Sequence, residues 1–393
     1  MKPNRSLLLL SVCQALFLTN NVTFIAINGL VGLRLAPAGW MATLPVMGYV
    51  VGGALAAGPV SRLQAHWGRQ RSFQVGLAVA ALTAAGGAVA VSLGSFWGVL
   101  AATVLAGFYN ANAQLYRFAG PELVGPQHKA QAISFVMAGG VAGAFIGPNL
   151  ANATRDLLPA PFAGAYATLV GVALLGLAVM SRIRFPAHVR PAPGSDSGRT
   201  VAELARQPAF VIAVAAGALS YGVMNLLMAA TPLAMQRCGL PFSDAALVIE
   251  WHVLGMFVPA FFTGHLINRF GTLPVMVAGL ILNLACVLIA LGGVELERFV
   301  AALLLLGIGW NFLYTGATTL LTTTYEPHER TRAQGAMDFW VFSTTAVTAF
   351  ASGALVTTQG WTLLNLGSLV PLALIGVALA WHWRQRAGAP AAA

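Results

Sequence analysis

SFQVGLAVAALTAAGGAVAVSLGSFWGVLAATVLAGFYNANAQLY, residues Ser72–Tyr116, runs without a single Asp, Glu, Lys or Arg. A helix crosses the hydrocarbon core of a bilayer in roughly 20 residues, so this stretch is long enough for two crossings. Backbone polar groups in lipid must be satisfied inside the element, which leaves helix or closed barrel. The apolarity here is continuous rather than alternating, and that selects helix. Further uncharged runs cover Leu7–Leu33, Ala36–Ser61, Leu157–Ser181, Pro208–Gln236, Gly271–Val294 and Phe299–Tyr325.

Composition agrees. With 58% hydrophobic and 8% charged residues in a chain of 393, a water-soluble globule would expose far too much apolar surface. The reading is an all-α integral membrane protein with twelve transmembrane helices, near residues 7–32, 39–62, 73–94, 97–118, 129–152, 160–181, 208–236, 244–267, 272–293, 299–323, 333–356 and 361–382.

The formal net charge is +10, from 21 Lys and Arg against 11 Asp and Glu. Once the spans are drawn, every basic residue except Arg34, Arg155, Arg237 and Arg298 falls on one side of the membrane. That asymmetry places both termini of the multi-pass chain in the cytoplasm. The basic groups are scattered through loops instead of forming one patch, which excludes a nucleic-acid partner. Lys2 and Arg5 precede an apolar run that continues with no small-residue cleavage site, so an uncleaved first span is expected. Cys13, Cys238 and Cys286 lie far apart with no C-x-x-C spacing, hence no disulfide framework. No phosphate loop, hydrolase triad or thiolate zinc site is present, so no enzyme and no cofactor is expected. The lipid bilayer is the surrounding partner, and the chain is read as a monomer.

One long polar segment, Arg182–Gln207, interrupts the spans and holds Pro186, Pro191, Pro193, Gly194, Ser195 and Gly198. It reads as a linker, dividing the chain into a six-helix bundle over 1–185, a cytoplasmic linker over 186–207 and a second six-helix bundle over 208–393. The halves repeat each other. Pro126, Gln127, His128, Lys129, Ala130 and Gln131 after the fourth span return as Pro327, His328, then Arg332, Ala333 and Gln334 after the tenth. Asn110 and Asn311 occupy matching places upstream, as do the segments Gly58–Arg71 and Gly264–Gly271. Two pseudo-symmetric six-helix bundles with parallel repeats resemble the major facilitator fold, which implies a secondary transporter. Arg62, Gly68, Arg69 and Arg71 resemble that family's cytoplasmic gate loop. Its acidic member is missing, since Ser61 and Asn268 stand where an Asp is expected; Glu122 or Glu326 is the substitute.

Cargo recognition requires polar or polarizable groups at membrane depth. Met224 and Met228 in the seventh span and His252 and Met256 in the eighth are each spaced i, i+4, so each pair shares one helix face. Counted inward from Gln236 and Asp244, Met228 and His252 lie at one depth and Met224 and Met256 one turn deeper. Two antiparallel helices would present them as two rungs about 6 Å apart. Three thioethers and an imidazole form a soft ligand set suited to Cu(I). Gap-filling methionines with a histidine bonded to a neighbouring helix account for the same pattern. Glu250 and, second, Asp338 are candidates for proton coupling, because burial favours a carboxyl that takes up a proton. The alternatives are an outer pairing with Arg237 or a hydrated vestibule for Glu250, and a pair with Arg332 near the inside for Asp338. Asn110, Gln114 and Arg117 share one face of the fourth span, which with Asn311 and Tyr314 would frame an organic, aromatic solute, or else forms a wet cavity wall or an interhelical polar seam. For Arg117 itself a pair with Glu122 is expected.

The M-x-x-x-M of Met224 and Met228 and the H-x-x-x-M of His252 and Met256 resemble those of the CcoA-like copper importers, a bacterial branch of the major facilitator superfamily. That resemblance implies import of copper as the transported ion, most readily as Cu(I), delivery to a cytoplasmic copper acceptor, and supply of cbb-type cytochrome oxidase assembly. A related branch resembles riboflavin carriers, which implies the alternative cargo: riboflavin or another small organic solute.

Overall fold

Asn4 starts the first helix, its Oδ1 accepting the Leu7 backbone N–H at 2.8 Å. The structure is a computed structural model, and it describes residues 4–125, 129–186, 198–326 and 329–388. Within these the helices follow as α1 (Arg5–Leu35), α2 (Leu44–Ser92), α3 (Phe96–Ala113), α4 (Tyr116–Ala119), α5 (Lys129–Thr154), α6 (Ala163–Met180), α7 (Val201–Leu204), α8 (Pro208–Arg237), α9 (Phe242–Phe257), α10 (Ala260–Phe270), α11 (Thr272–Leu291), α12 (Leu296–Thr322), α13 (Arg330–Thr358) and α14 (Gly360–Gly388). Residues 187–197 of the expected linker, and Pro126, Gln127, His128, Pro327 and His328 of the repeat, lie outside the described residues.

Among the described residues, eight helices are long and apolar enough for a crossing, and α9 with α10 makes a ninth as a pair bent by 41°. α2 is two crossings in one run, and α3 continued by α4, together with α5, completes the twelve. The chain is therefore a multi-pass membrane protein.

Two boundaries differ from the expected spans. The loop expected between 62 and 73 is absent: helix continues to Trp67, breaks only at Gly68, and resumes at once. Polarity there marks the end of the apolar span, not the end of the helix. Gly68 has φ 75° and ψ 177°, a conformation open essentially to glycine alone. Gly271, between α10 and α11, repeats it with φ 89° and ψ 161°. The expected eighth span, 244–267, is broken at Val258 and Pro259. Proline has no N–H to donate to the preceding turn, and here the helix breaks, whereas Pro59, Pro148, Pro232 and Pro371 lie inside helices that run on.

By compactness the chain divides into two units. Unit 1 is Met1–Gly194 with Ala229–Glu250, and unit 2 is Ser195–Met228 with Trp251–Ala393. In unit 1, α1 and α5 approach closely because Gly139 and Gly143 meet the carbonyls of Ser11 and Ala15, which a Cβ would overlap. The Thr23 hydroxyl adds a hydrogen bond to the Gly147 carbonyl at 3.0 Å. Gly143 and Gly147 thus serve helix packing. In unit 2, α11 and α12 form an equally tight pair, with Gly279 set against the Gly309 carbonyl.

Candidate functional site

α8 carries Met224 and Met228 and α9 carries His252 and Met256; all four are buried inside unit 2, His252 completely. The His252 Nδ1 lies 2.7 Å from the Leu303 carbonyl of α12. A carbonyl only accepts, so Nδ1 holds the ring proton and Nε2 keeps its lone pair. Nε2 has no hydrogen-bond partner. α12 comes this near because Gly307 stands against α9, where a Cβ would overlap the His252 carbonyl oxygen. The imidazole is held by its far nitrogen in one tautomer, as a metal-ligating or hydrogen-bonding ring requires.

Glu250, two residues earlier on α9, belongs to unit 1. Its Oε2 accepts a hydrogen bond from Asn149 Nδ2 of α5 at 2.7 Å, so its partner is a neutral amide. Asp338 is exposed on α13.

The matched asparagines have different surroundings. Asn311 donates through Nδ2 to the Met256 carbonyl at 2.7 Å, next to the break in the eighth span. Its Oδ1 lies 2.7 Å from the Thr263 hydroxyl, whose single proton is shared with the Pro259 carbonyl at 2.8 Å. Asn311 is committed to holding the bend between α9 and α10. Asn110 is equally buried, but its Oδ1 has no partner. Asn20 of α1, also buried in unit 1, leaves both amide atoms unpaired. Gln114 ends α3, its backbone N–H donating to the Asn110 carbonyl at 3.0 Å.

At the break after the second span, Arg69 donates from Nε at 3.1 Å and from Nη2 at 2.9 Å to Glu122, and it also binds Gln64. Glu122, one of the two acids expected to stand in for the missing Asp, is the carboxylate that Arg69 binds. Arg62 and Arg71 are exposed beside it. The pairing expected between Arg117 and Glu122 is not formed: Arg117 stacks on the Phe118 ring at 4.8 Å. Arg69, carried on the third span by the Gly68 break, reaches the carboxylate instead.

Tyr314, expected from sequence to face an aromatic solute, belongs in unit 2 to an aromatic group whose other members, Tyr221 and Trp310, were not expected. Trp310 and Tyr314 of α12, one turn apart, stack with centroids 5.3 Å apart and planes 10° from parallel. Tyr221 of α8 meets both edge-on, at 5.3 and 5.4 Å. Trp310 is 8% exposed, and its Nε1 donor has no partner. Leaving such a donor unsatisfied costs about 1–3 kcal/mol. A tryptophan in mid-span, away from the interfacial belts, was the available signal. Unit 1 encloses a separate cavity of about 430 Å³, lined by Arg34, Arg155, Phe162, Gln236 and Phe242 among others.

The Major Facilitator Superfamily model matches residues 7–250 and 213–393. The chain belongs to the major facilitator superfamily. Over 388 residues the chain is 39% identical to the riboflavin transporter RfnT of Brucella anthropi, covering 98% of this chain and 97% of that one. It is also 27% identical over 364 residues to the uncharacterized transporter YddS of Bacillus subtilis, covering 88% and 83%. A mutant of the nucleoside transporter NupG superposes with a TM-score of 0.77 at 11% identity, over 96% of this chain and 99% of that one. A bacterial homologue of the lysosomal transporter Spinster does so with a TM-score of 0.71 at 15% identity, over 97% and 96%. These two likenesses establish the fold. The resemblance to major facilitators drawn from the sequence holds, whereas the activity named for the 39% relative is riboflavin transport and not copper import.

Proposed function

We propose that this chain is a secondary transporter of riboflavin or a closely similar flavin, moving it across the bacterial cytoplasmic membrane by alternating access. The observation that carries this reading is the 39% identity, along nearly the whole of both chains, to a transporter named for riboflavin. The chemistry of the interior supports it. A flavin is a planar ring system with carbonyl and imide edges and a polyhydroxyl tail. Unit 2 by itself supplies stacked aromatic rings and, in Trp310, a buried indole N–H that protein leaves unpaired. Uptake of radiolabelled riboflavin by a riboflavin auxotroph expressing the chain tests the proposal. Accumulation well above the empty-vector level is expected, and accumulation equal to it overturns the reading.

A second reading, copper import, has its own support in the unpartnered Nε2 of His252 and the three buried thioethers of Met224, Met228 and Met256 in the same unit. Here copper is cargo, and the soft neutral donors would release it readily. Copper uptake in the same cells separates the two. Under the copper reading, Met224→Ala and Met256→Ala abolish copper accumulation. Under the flavin reading there is none to abolish.

A further inference from the structure

Two tryptophans are buried in unit 2, and the protein treats them differently. Trp361 of α14 is 9% exposed and donates its indole N–H to the Ala290 carbonyl at 3.2 Å, with Phe299 tilted against its ring. That is what a structural tryptophan in an apolar bundle needs: packing, and a satisfied donor. Trp310 is as deeply buried and better stacked, but its donor is left over. We infer that Tyr221, Trp310 and Tyr314 form the ring-recognition part of the cargo site, taking a planar heteroaromatic ring by stacking, with the Trp310 N–H donating to a carbonyl or ring nitrogen on its edge. The inference rests on the flavin reading above and deepens it.

Three features support the assignment. Asn311, next to Trp310, spends both amide atoms on the bend between α9 and α10, so this part of α12 is anchored before any cargo arrives. Tyr221 and Tyr314 are only half-buried, less enclosed than the Trp310 they pack against. Tyr221, Met224 and Met228 are spaced i, i+3, i+7 and share a face of α8. Methionine sulfur is a polarizable and adaptable neighbour for an aromatic ring, so the thioethers have a role in this site without a metal.

The experiment uses the purified full chain in detergent, with flavin fluorescence as readout. Riboflavin binding is measured with lumichrome, the ring without its ribityl tail, and ribitol, the tail alone, as competitors. Stacking on indole and phenol quenches flavin emission, so the bound form is expected to be dim. Lumichrome should compete and ribitol should not. Trp310→Phe keeps a ring but loses the N–H, and is expected to weaken binding about tenfold with quenching largely kept. Trp310→Leu with Tyr314→Leu should weaken it on the order of a hundredfold and leave residual bound flavin bright. Trp361→Phe is the control; it lowers the melting temperature and leaves the flavin dissociation constant unchanged. If the wild-type chain binds and transports riboflavin while Trp310→Phe and the double variant bind it unchanged, the assignment falls and the transport reading stands. If neither riboflavin nor lumichrome binds the wild-type chain, both fall together. Competition by ribitol and not lumichrome also overturns the assignment, because the tail would then be the part recognised.

Discussion

The loops after α4 and after α12 occupy equivalent places in the two halves, and each holds a carboxylate paired with an arginine, but the two pairs are built differently. In unit 1, Glu122 takes Arg69 from the start of the third span; the side chains are 40% and 27% exposed. In unit 2, Glu329 is only 2% exposed and takes Arg199 from beyond the linker instead of a residue from the loop at Gly271. Its carboxylate accepts from Arg199 Nε at 2.8 Å, Nη2 at 2.7 Å and backbone N–H at 2.8 Å, and from the Glu326 backbone N–H at 3.0 Å. Arg332 returns the contact, donating to the Gly198 and Arg199 carbonyls at 2.7 Å each. The acids are not repeat equivalents, since Glu122 precedes Pro126 and Glu329 follows Pro327, and each takes its cation from whichever segment the local chain path brings near. In unit 1 this makes a surface pair; in unit 2 it makes a fastening for the segment entering α7 and α8.

The comparison ranks the expected effects. Glu329→Gln should give the largest loss, a fall in melting temperature roughly twice or more that of Glu122→Gln, because the Glu329 carboxylate is 2% exposed and accepts four hydrogen bonds, whereas Glu122 is 40% exposed. The Arg199 guanidinium and the Glu326 N–H hold the Glu329 carboxyl well below the usual carboxylate range. A lowered folded-state pKa adds stability that is present above the unfolded value of about 4.3 and is lost as pH falls through and below it. Thermal unfolding of the wild-type chain should therefore weaken below about pH 4.3, and Glu329→Gln should remove that part of the slope. An unchanged slope would mean the two acids are equivalent after all.

Asn311→Ala comes next, at about 2–3 kcal/mol, since it orphans the Met256 carbonyl at the bend of the eighth span. Asn110→Ala, at the matching position of unit 1, should leave the melting temperature nearly unchanged and act instead on the KM for uptake. Equal melting temperatures for the two variants would erase the difference in duty. Gly68→Ala and Gly271→Ala should each cost about 1–3 kcal/mol, and equally, because both place a Cβ in a backbone region reserved for glycine. Unequal losses in a paired melt would show that the two breaks are not equivalent. The smallest effect is expected from Arg69→Ala, within about 1 kcal/mol and shrinking as salt is raised, as partly exposed ion pairs do.

Much of this was legible in the order of residues, and the exceptions share a cause. The long uncharged runs, including Ser72–Tyr116, read directly as helices in lipid, and the recurrence of Asn110 at Asn311 disclosed the repeat. The expected loop at 62–73 was misplaced because charge ends a membrane span without ending a helix. The bend at Pro259 was missed because a proline in an apolar run is compatible with either a kink or a break. Among site residues, Met224, Met228, His252 and Met256 were visible as a spacing, and all four are buried. Tyr221 and Trp310 lie on helices far apart in sequence, so no local pattern joined them.

Membrane residence, the helical class and the internal duplication follow from composition and periodicity alone, since the cost of wetting apolar residues or of leaving backbone groups unpaired in lipid is paid locally. Which asparagine is spent on a bend and which is left over, which arginine reaches Glu122, and which of two buried tryptophans keeps a free donor were decided only by tertiary structure. A hydrogen bond depends on distances of a few tenths of an ångström between groups often more than a hundred residues apart, and sequence order does not encode that separation.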